Sequence, residues 1–269
     1  MPHRRTQAPT GARKKAAAER AARAAERTAS FGFKDVPESL KATLVKDVFD
    51  RVVDRYDLMN DLMSLGVHRR WKQALIDWLK PRAAMTLLDV GGGTGDIAFL
   101  FRGKGGGPVT VVDVNAEMLN RGRDRAIDRG VLGGIAWVCG DAEQLPVADQ
   151  AVDAYTCAFS IRNVTRIDRA LREAFRALKP GGRFLCLEFS QVTLPVLDAL
   201  YDAYSFRVLP ALGELVAGDR AAYQYLAESI RRFPSQDAFA QMIGDSGFAL
   251  VKYRNLSGGI AALHSGWRL

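Results

Sequence analysis

Alternation between strand-like and helix-like stretches constrains this chain more than any other feature. Short apolar runs lie near 86–90, 109–112, 135–139, 152–159 and 183–189, with amphipathic stretches from Ala116 and over 166–178 among them. Further strands are expected near 248–255 and 259–267, after a helix at 235–246. Apolar strands alternating with helices predict an α/β fold: a mostly parallel seven-stranded sheet with helices on both faces. Upstream, Leu40, Leu44, Val48, Phe49, Val52 and Tyr56 mark one face of a helix over 40–56, and a second helix over 71–79 stops before Pro81. The rhythm breaks at 191–232, where Leu197, Tyr201, Tyr204, Tyr225 and Leu226 suit a helical insertion after the fifth strand. That insertion reads equally as extra core, as a homodimer face, or as a lid for an apolar substrate.

Sheets of this kind bind ligands beyond the carboxyl ends of their strands. Those ends carry Asp89, Asp113, Asp141, Ser160 and Glu188. The first strand runs straight into Gly91-Gly92-Gly93-Thr94-Gly95-Asp96. Glycine reaches backbone angles other residues avoid and lets a ligand press on bare peptide. A dinucleotide loop wants a third glycine where this chain has Asp96, whose charge would repel a pyrophosphate. A sulfonium donor bearing an amino group tolerates it, so the loop favours S-adenosylmethionine. Asp113 closes the second strand, where its carboxylate suits two ribose hydroxyls. Asp141-Ala142 follows the third, placed to meet an adenine through one carboxylate and one backbone amide.

The net charge of +8 points to nucleic acid only until it is located. Residues 1–30 hold eight basic and two acidic side chains, +6, so the remaining 239 residues carry only +2. The body is no basic nucleic-acid surface. The Ala/Arg-rich tail reads as a disordered or marginally helical arm able to touch anionic head groups. No apolar run reaches the ~18 residues of a membrane span. Cys139, Cys157 and Cys186 sit in strand-like runs and are expected as buried core thiols. Neither they nor the scattered histidines suggest a metal site.

The loop, Asp113 and Asp141-Ala142 resemble the Rossmann-like class I S-adenosylmethionine-dependent methyltransferases. The run from Tyr56 to Lys72 (YDLMNDLMSLGVHRRWK) resembles the N-terminal motif of the ubiquinone/menaquinone biosynthesis C-methyltransferases. Phe31-Gly32-Phe33, Ile161-Arg162-Asn163-Val164-Thr165, Leu178-Lys179-Pro180-Gly181-Gly182-Arg183 and the segments 201–206 and 225–230 agree. The resemblance covers about 31–269 and leaves the tail outside. It implies S-adenosylmethionine on Thr94, Asp113 and Asp141-Ala142; with the loop as read above, the candidate donor-binding residues are Asp89, Gly91, Gly93, Thr94, Gly95, Asp113, Asp141 and Ala142. It implies ring-carbon methylation of a polyprenylated hydroquinol, benzoquinol or naphthoquinol. Arg162 is then the first candidate to stabilise the phenolate, with Asn163 orienting a water or the ring hydroxyl. Tyr56 and His68 are candidate bases or proton relays. Members often carry Ser-Phe-Gly before the Arg-Asn pair; this chain has Ala158-Phe159-Ser160. A cytoplasmic chain with peripheral contact at the inner membrane, or membership of a quinone-biosynthesis complex, follows from such a substrate.

Rival readings remain. An amino-methylating nucleic-acid enzyme would carry an Asn/Asp-Pro-Pro-aromatic motif after the fourth strand, where this chain has Ser160-Ile161-Arg162-Asn163. A phenol O-methyltransferase would share every donor-binding residue. A non-catalytic scaffold of a quinone-biosynthesis complex could keep the fold.

Overall fold

The computed structural model describes residues 27–52, 61–64, 66–193, 204–208, 210–212, 214 and 219–269. It begins with a hairpin, β1 (Thr28–Phe31) and β2 (Lys34–Pro37), followed by helices α1 (Glu38–Val52) and α2 (His68–Leu79). Strand β3 (Leu87–Val90), helix α3 (Asp96–Gly103), strand β4 (Val109–Asp113), helix α4 (Ala116–Asp128) and strand β5 (Ile135–Cys139) come next. Strand β6 (Val152–Ala158), helix α5 (Ile167–Ala177), strand β7 (Leu178–Phe189) and helices α6 (Arg220–Arg232) and α7 (Gln236–Asp245) precede β8 (Ala249–Leu256) and β9 (Ala261–Trp267). Seven strands form one sheet in the order β5-β4-β3-β6-β7-β9-β8. The first five are parallel, and β9 runs antiparallel to both β7 and β8. This is the expected mostly parallel sheet.

Period-two alternation builds a separate core on each face. Leu87, Val111, Ala154, Leu185 and Leu187 point to one side and meet Trp71, Leu75 and Ile76 of α2, Ile97 and Phe101 of α3, and Tyr223 and Leu226 of α6. Their neighbours Leu88, Val112, Tyr155, Phe184 and Cys186 point to the other and meet Leu171 and Ala174 of α5 and Phe239 and Ile243 of α7. Leu75 and Ile76 are wholly buried, each worth about 1.5–3 kcal/mol of transfer from water. Of the 191–232 insertion, α6 is therefore core on its inner face. The helix expected between Pro195 and Pro210 lies largely outside the described residues.

The hairpin was not legible in the sequence. Its strands are four residues long and half-exposed, too short for an alternation signal. It starts at Thr28, inside the stretch assigned to the tail, and Arg27 O already accepts from Glu38 N at 3.0 Å. Cys157 and Cys186 are buried as expected, but Cys139 is exposed. It is the last residue of β5, a strand at the sheet's edge, with its Sγ 3.7 Å from Val114 O.

Candidate active site

A cavity of about 620 Å³ opens at the C-terminal ends of β3 and β4. The sheet order reverses between β3 and β6, so the cavity sits where such sheets collect ligands. Gly91, Gly93, Asp113, Asp141 and Ala142 line it, as do Asn163 and Ser160. Gly91 and Gly93 have φ of +62° and +54°, angles that cost most side chains strain. A Cβ on Gly91 would strike the Ser160 hydroxyl, so backbone and Ser160 pack directly. Asp113 Oδ2 accepts from Gly93 N at 2.9 Å and Oδ1 from Asn115 N at 2.9 Å. Burial raises the Asp113 pKa against these bonds. A carboxylate offers about four lone-pair sites, so two hydrogen bonds leave capacity for a ligand's hydroxyls.

Helix α1 supplies the opposite wall through Ala42, Val45 and Phe49. Three polar contacts hold it there. Asn115 Nδ2 donates to Asp50 Oδ1 at 2.7 Å, Lys41 Nζ donates to Val164 O at 2.9 Å, and Arg166 Nε lies 3.2 Å from Glu38 Oε2. Asn115 also caps α4, its Oδ1 accepting from Glu117 N and Met118 N. An Asn directly before a helix was readable as a cap; its second bond to a helix 65 residues away was not.

Three expected donor-site residues lie beneath or beside the loop and are not among the residues lining the cavity. Asp89 is wholly buried under it, accepting from Thr156 Oγ1 at 2.8 Å. Its Oδ2 has no partner among the described residues, and burial pushes its pKa up to about 7. Thr94 bonds Arg125 through both its carbonyl and its hydroxyl. Gly95 packs so close to Trp137 that a Cβ would meet the ring at 2.5 Å. Asp96, expected beside the ligand as a bare anion, is instead spent on cations. It lies 2.7 Å from Lys72 Nζ and 2.8 Å from Arg125 Nη2. Burial would raise its pKa, yet Lys72 and then Arg125 outweigh that and hold the carboxyl far below the usual range. The charge argument that set this loop against a dinucleotide therefore does not operate through a free carboxylate.

Strand β6 leaves the sheet through Phe159, whose φ is +60°, an uncommon backbone for an aromatic residue. Its ring is held among Trp71 and Phe189, with centroids 6.3 and 4.9 Å away. The one-turn helix Ile161–Asn163 follows and sends successive side chains opposite ways. Asn163 lines the large cavity, and its Oδ1 accepts from Tyr225 Oη at 3.1 Å. Arg162, the expected anion stabiliser, is not among the residues lining that cavity. Its Nη1 lies 2.7 Å from Glu188 Oε1 and donates to Phe159 O at 2.6 Å. Both side chains of this ion pair are nearly dry, at 3% and 2% exposure. Burial raises the Glu188 pKa, opposed by Arg162. A guanidinium so engaged fixes the turn that aims Asn163, with its Nη1 paired to Glu188 and its Nε left without a partner among the described residues.

His68 opens α2 with Nδ1 2.9 Å from Ser64 Oγ and 3.6 Å from Asp61 Oδ1. It is buried, lies away from the cavity lining, and its pKa falls to about 4 through burial and the cations Lys72 and Arg69. A neutral ring tied to Ser64 acts as a structural pin at the helix start. Tyr56 lies outside the described residues.

A family model described as the ubiE/COQ5 methyltransferase family matches residues 35–268. The chain belongs to that family. A relative from Brucella abortus (strain S19), named ubiquinone/menaquinone biosynthesis C-methyltransferase UbiE, is 57% identical over 244 residues, 89% of this chain and 91% of that protein. One of the same name from Brucella anthropi is 57% identical over 89% of this chain and 93% of its own length. Among solved structures, a SAM-dependent methyltransferase from Thermotoga maritima superposes with a TM-score of 0.61 at 20% identity, covering 84% of this chain and all of that one. Another from Aquifex aeolicus gives 0.54 at 16% identity, covering 87% and 100%. The structural likeness is one of fold; the ubiE/COQ5 membership rests on sequence along nearly the whole chain.

Proposed function

We propose that this chain transfers a methyl group from S-adenosylmethionine to a ring carbon of a polyprenylated hydroquinol in ubiquinone or menaquinone biosynthesis. The observation that carries the reading is the relationship to UbiE proteins over nine-tenths of their length. The cavity supports it. Its volume falls in the roughly 300–1,000 Å³ range of small-molecule sites. The donor set fits: bare peptide at Gly91 and Gly93, Asp113 with spare lone pairs, and Asp141-Ala142 further along the rim. Bound there, S-adenosylmethionine supplies an electrophilic methyl.

The protein's own share is alignment and charge stabilisation. Holding two reactants in line supplies several kcal/mol of the barrier. Asn163 accepts from Tyr225 through Oδ1, which fixes its amide orientation and leaves Nδ2 to donate into the cavity. That N–H suits a ring oxygen whose charge grows before transfer. Burial raises the Tyr225 pKa, so its hydroxyl stays a donor to Asn163. Arg162 and Glu188 hold the turn rigid from behind. Incubation with methyl-labelled S-adenosylmethionine and a short-chain prenyl hydroquinol tests the reading. Label on ring carbon by NMR is expected; label on oxygen, or no transfer to any prenyl quinol, overturns it.

Such a substrate resides in a bilayer, whereas no helix among the described residues is long and apolar enough to cross one. Peripheral contact is supported by Phe33, Leu40 and Val208, which are 50%, 52% and 44% exposed near the hairpin and the insertion. Phe33 stacks on Phe206 with centroids 5.9 Å apart. Cosedimentation with lipid vesicles should fall on Phe33→Ser; no change removes the hairpin from this role.

A further inference from the structure

Behind the Ile161–Asn163 turn lies a second pocket of about 120 Å³, facing Arg162 where the large cavity faces Asn163. Three cations converge on it: Lys41, Arg162 and Arg232. Thr28, Ser30 and Thr165 contribute hydroxyls, those of Tyr225 and Ser229 being donated to Asn163 Oδ1 and Leu226 O, and its described lining holds no carboxylate. Lys41 and Arg162 are 4% and 7% exposed. The Arg162 Nε–H is buried and has no partner among the described residues. Lys41 spends one donor on Val164 O, and an ammonium carries three. Of the nearby acids, Glu188 pairs with Arg162 itself, Glu38 lies against Arg166, Glu143 accepts from the amides of Thr165 and Arg166, and Glu228 accepts from Phe33 N. Arg232 donates to Phe33 O at 3.0 Å and lies 3.7 Å from Asp35 at the exposed end.

An unsatisfied buried donor costs roughly 1–3 kcal/mol, more when charged. A small polar pocket lined by cations and hydroxyls, with the residue that carries this donor among them, suits negative charge. We propose that this pocket binds a phosphate-type oxyanion, charge-bonded by Lys41, Arg162 Nε and Arg232. Free inorganic phosphate and a phospholipid head group present the same chemistry. The pocket also opens beside the hairpin that carries exposed Phe33. The pocket shares only Val164 and Thr165 with the lining of the large cavity, and the proposal stands whether or not the hydroquinol reading does.

Calorimetric titration of inorganic phosphate into the full chain, at fixed chloride, tests it. Saturable binding is expected, about tenfold weaker in Lys41→Met and in Arg232→Gln, the loss of one charge-assisted bond. Arg232 reaches the surface, so its variant keeps the test sound should Lys41→Met fail to fold. In a second arm, phosphatidylcholine vesicles doped with phosphatidic acid are presented with and without free phosphate. Phosphate that displaces the protein from them assigns the site to a head group; phosphate that binds without displacement assigns it to the free ion. No saturable phosphate binding, or equal affinity in wild type and Arg232→Gln, overturns the proposal.

Discussion

Asn115 and Asp50 join the sheet to helix α1 through one 2.7 Å hydrogen bond at the cavity's edge. The bond connects the residue that caps α4, just after Asp113, to the helix that walls the opposite side. Asp50→Ala frees α1 there without touching the glycine loop. A bond of this kind contributes about 0.5–1.5 kcal/mol. S-Adenosylmethionine should bind several-fold more weakly by calorimetry, with turnover at saturation nearly unchanged. Unaltered affinity would mean α1 is held by its other contacts alone.

Asp89 carries a pH signature. Its pKa rises from an unfolded value near ~3.9 to about 7 in the folded protein. Between those values the unfolded chain has lost a proton that the folded chain keeps, so stability falls as pH rises from about 4 to about 7. Asp89→Asn keeps an oxygen for Thr156 and removes the titration. The stability of wild type minus that of the variant, from urea melts, should decline across this window and flatten above it. A flat difference throughout would place the Asp89 pKa near its unfolded value.

The Arg162–Glu188 pair is dry, so losing one partner strands a buried charge. That costs about 3–5 kcal/mol. Arg162→Met should lower the melting temperature sharply, while Arg162→Met with Glu188→Met should recover most of the loss. Where the single variant stays folded, affinity for S-adenosylmethionine should change little and turnover should fall, because Asn163 loses its support. Weak donor binding with normal turnover at saturation would contradict this positioning role.

Lys72 sits on α2 and Asp96 at the start of α3, in a pair whose ammonium side is only 8% exposed. Lys72→Met leaves Asp96 with Arg125 alone. Hydrogen bonds to charged groups contribute about 1.5–3 kcal/mol, and a loss of that order is expected. Asp96 has a depressed pKa, so its contribution is present above an unfolded value near ~3.9 and disappears as pH falls through the folded one. The cost of Lys72→Met should therefore be full at neutral pH and shrink in acid, by urea melts. A cost that does not vary with pH would point to lost packing of the lysine stem.

The strands and their acidic tips were legible because period-two burial and Gly, Pro and Asn punctuation are local signals. Asp113 and the glycine turn could be placed from sequence for that reason. The partners that decide what each charged group does were not legible. Lys72 meets Asp96 across 24 residues, Arg162 meets Glu188 across 26, and Asn115 meets Asp50 across 65. Nothing in a linear pattern marks such encounters, so Arg162 and Asp96 read as bare charges when each already had a counter-ion. Helix α1 was foreseen as amphipathic, yet only the fold shows that part of its surface roofs a cavity.

The turn that presents Asn163 begins at Phe159, in left-handed backbone that an aromatic side chain does not favour. Packing against the tilted rings of Trp71 and Phe189 keeps it there. Glycine at that position would relax the main chain but surrender the anchor, and a smaller apolar residue would lose the anchor while keeping the strain. The aim of Asn163 thus depends on three interlocked rings, and the protein's sensitivity to mutation should extend to greasy positions that no proton or methyl group ever visits.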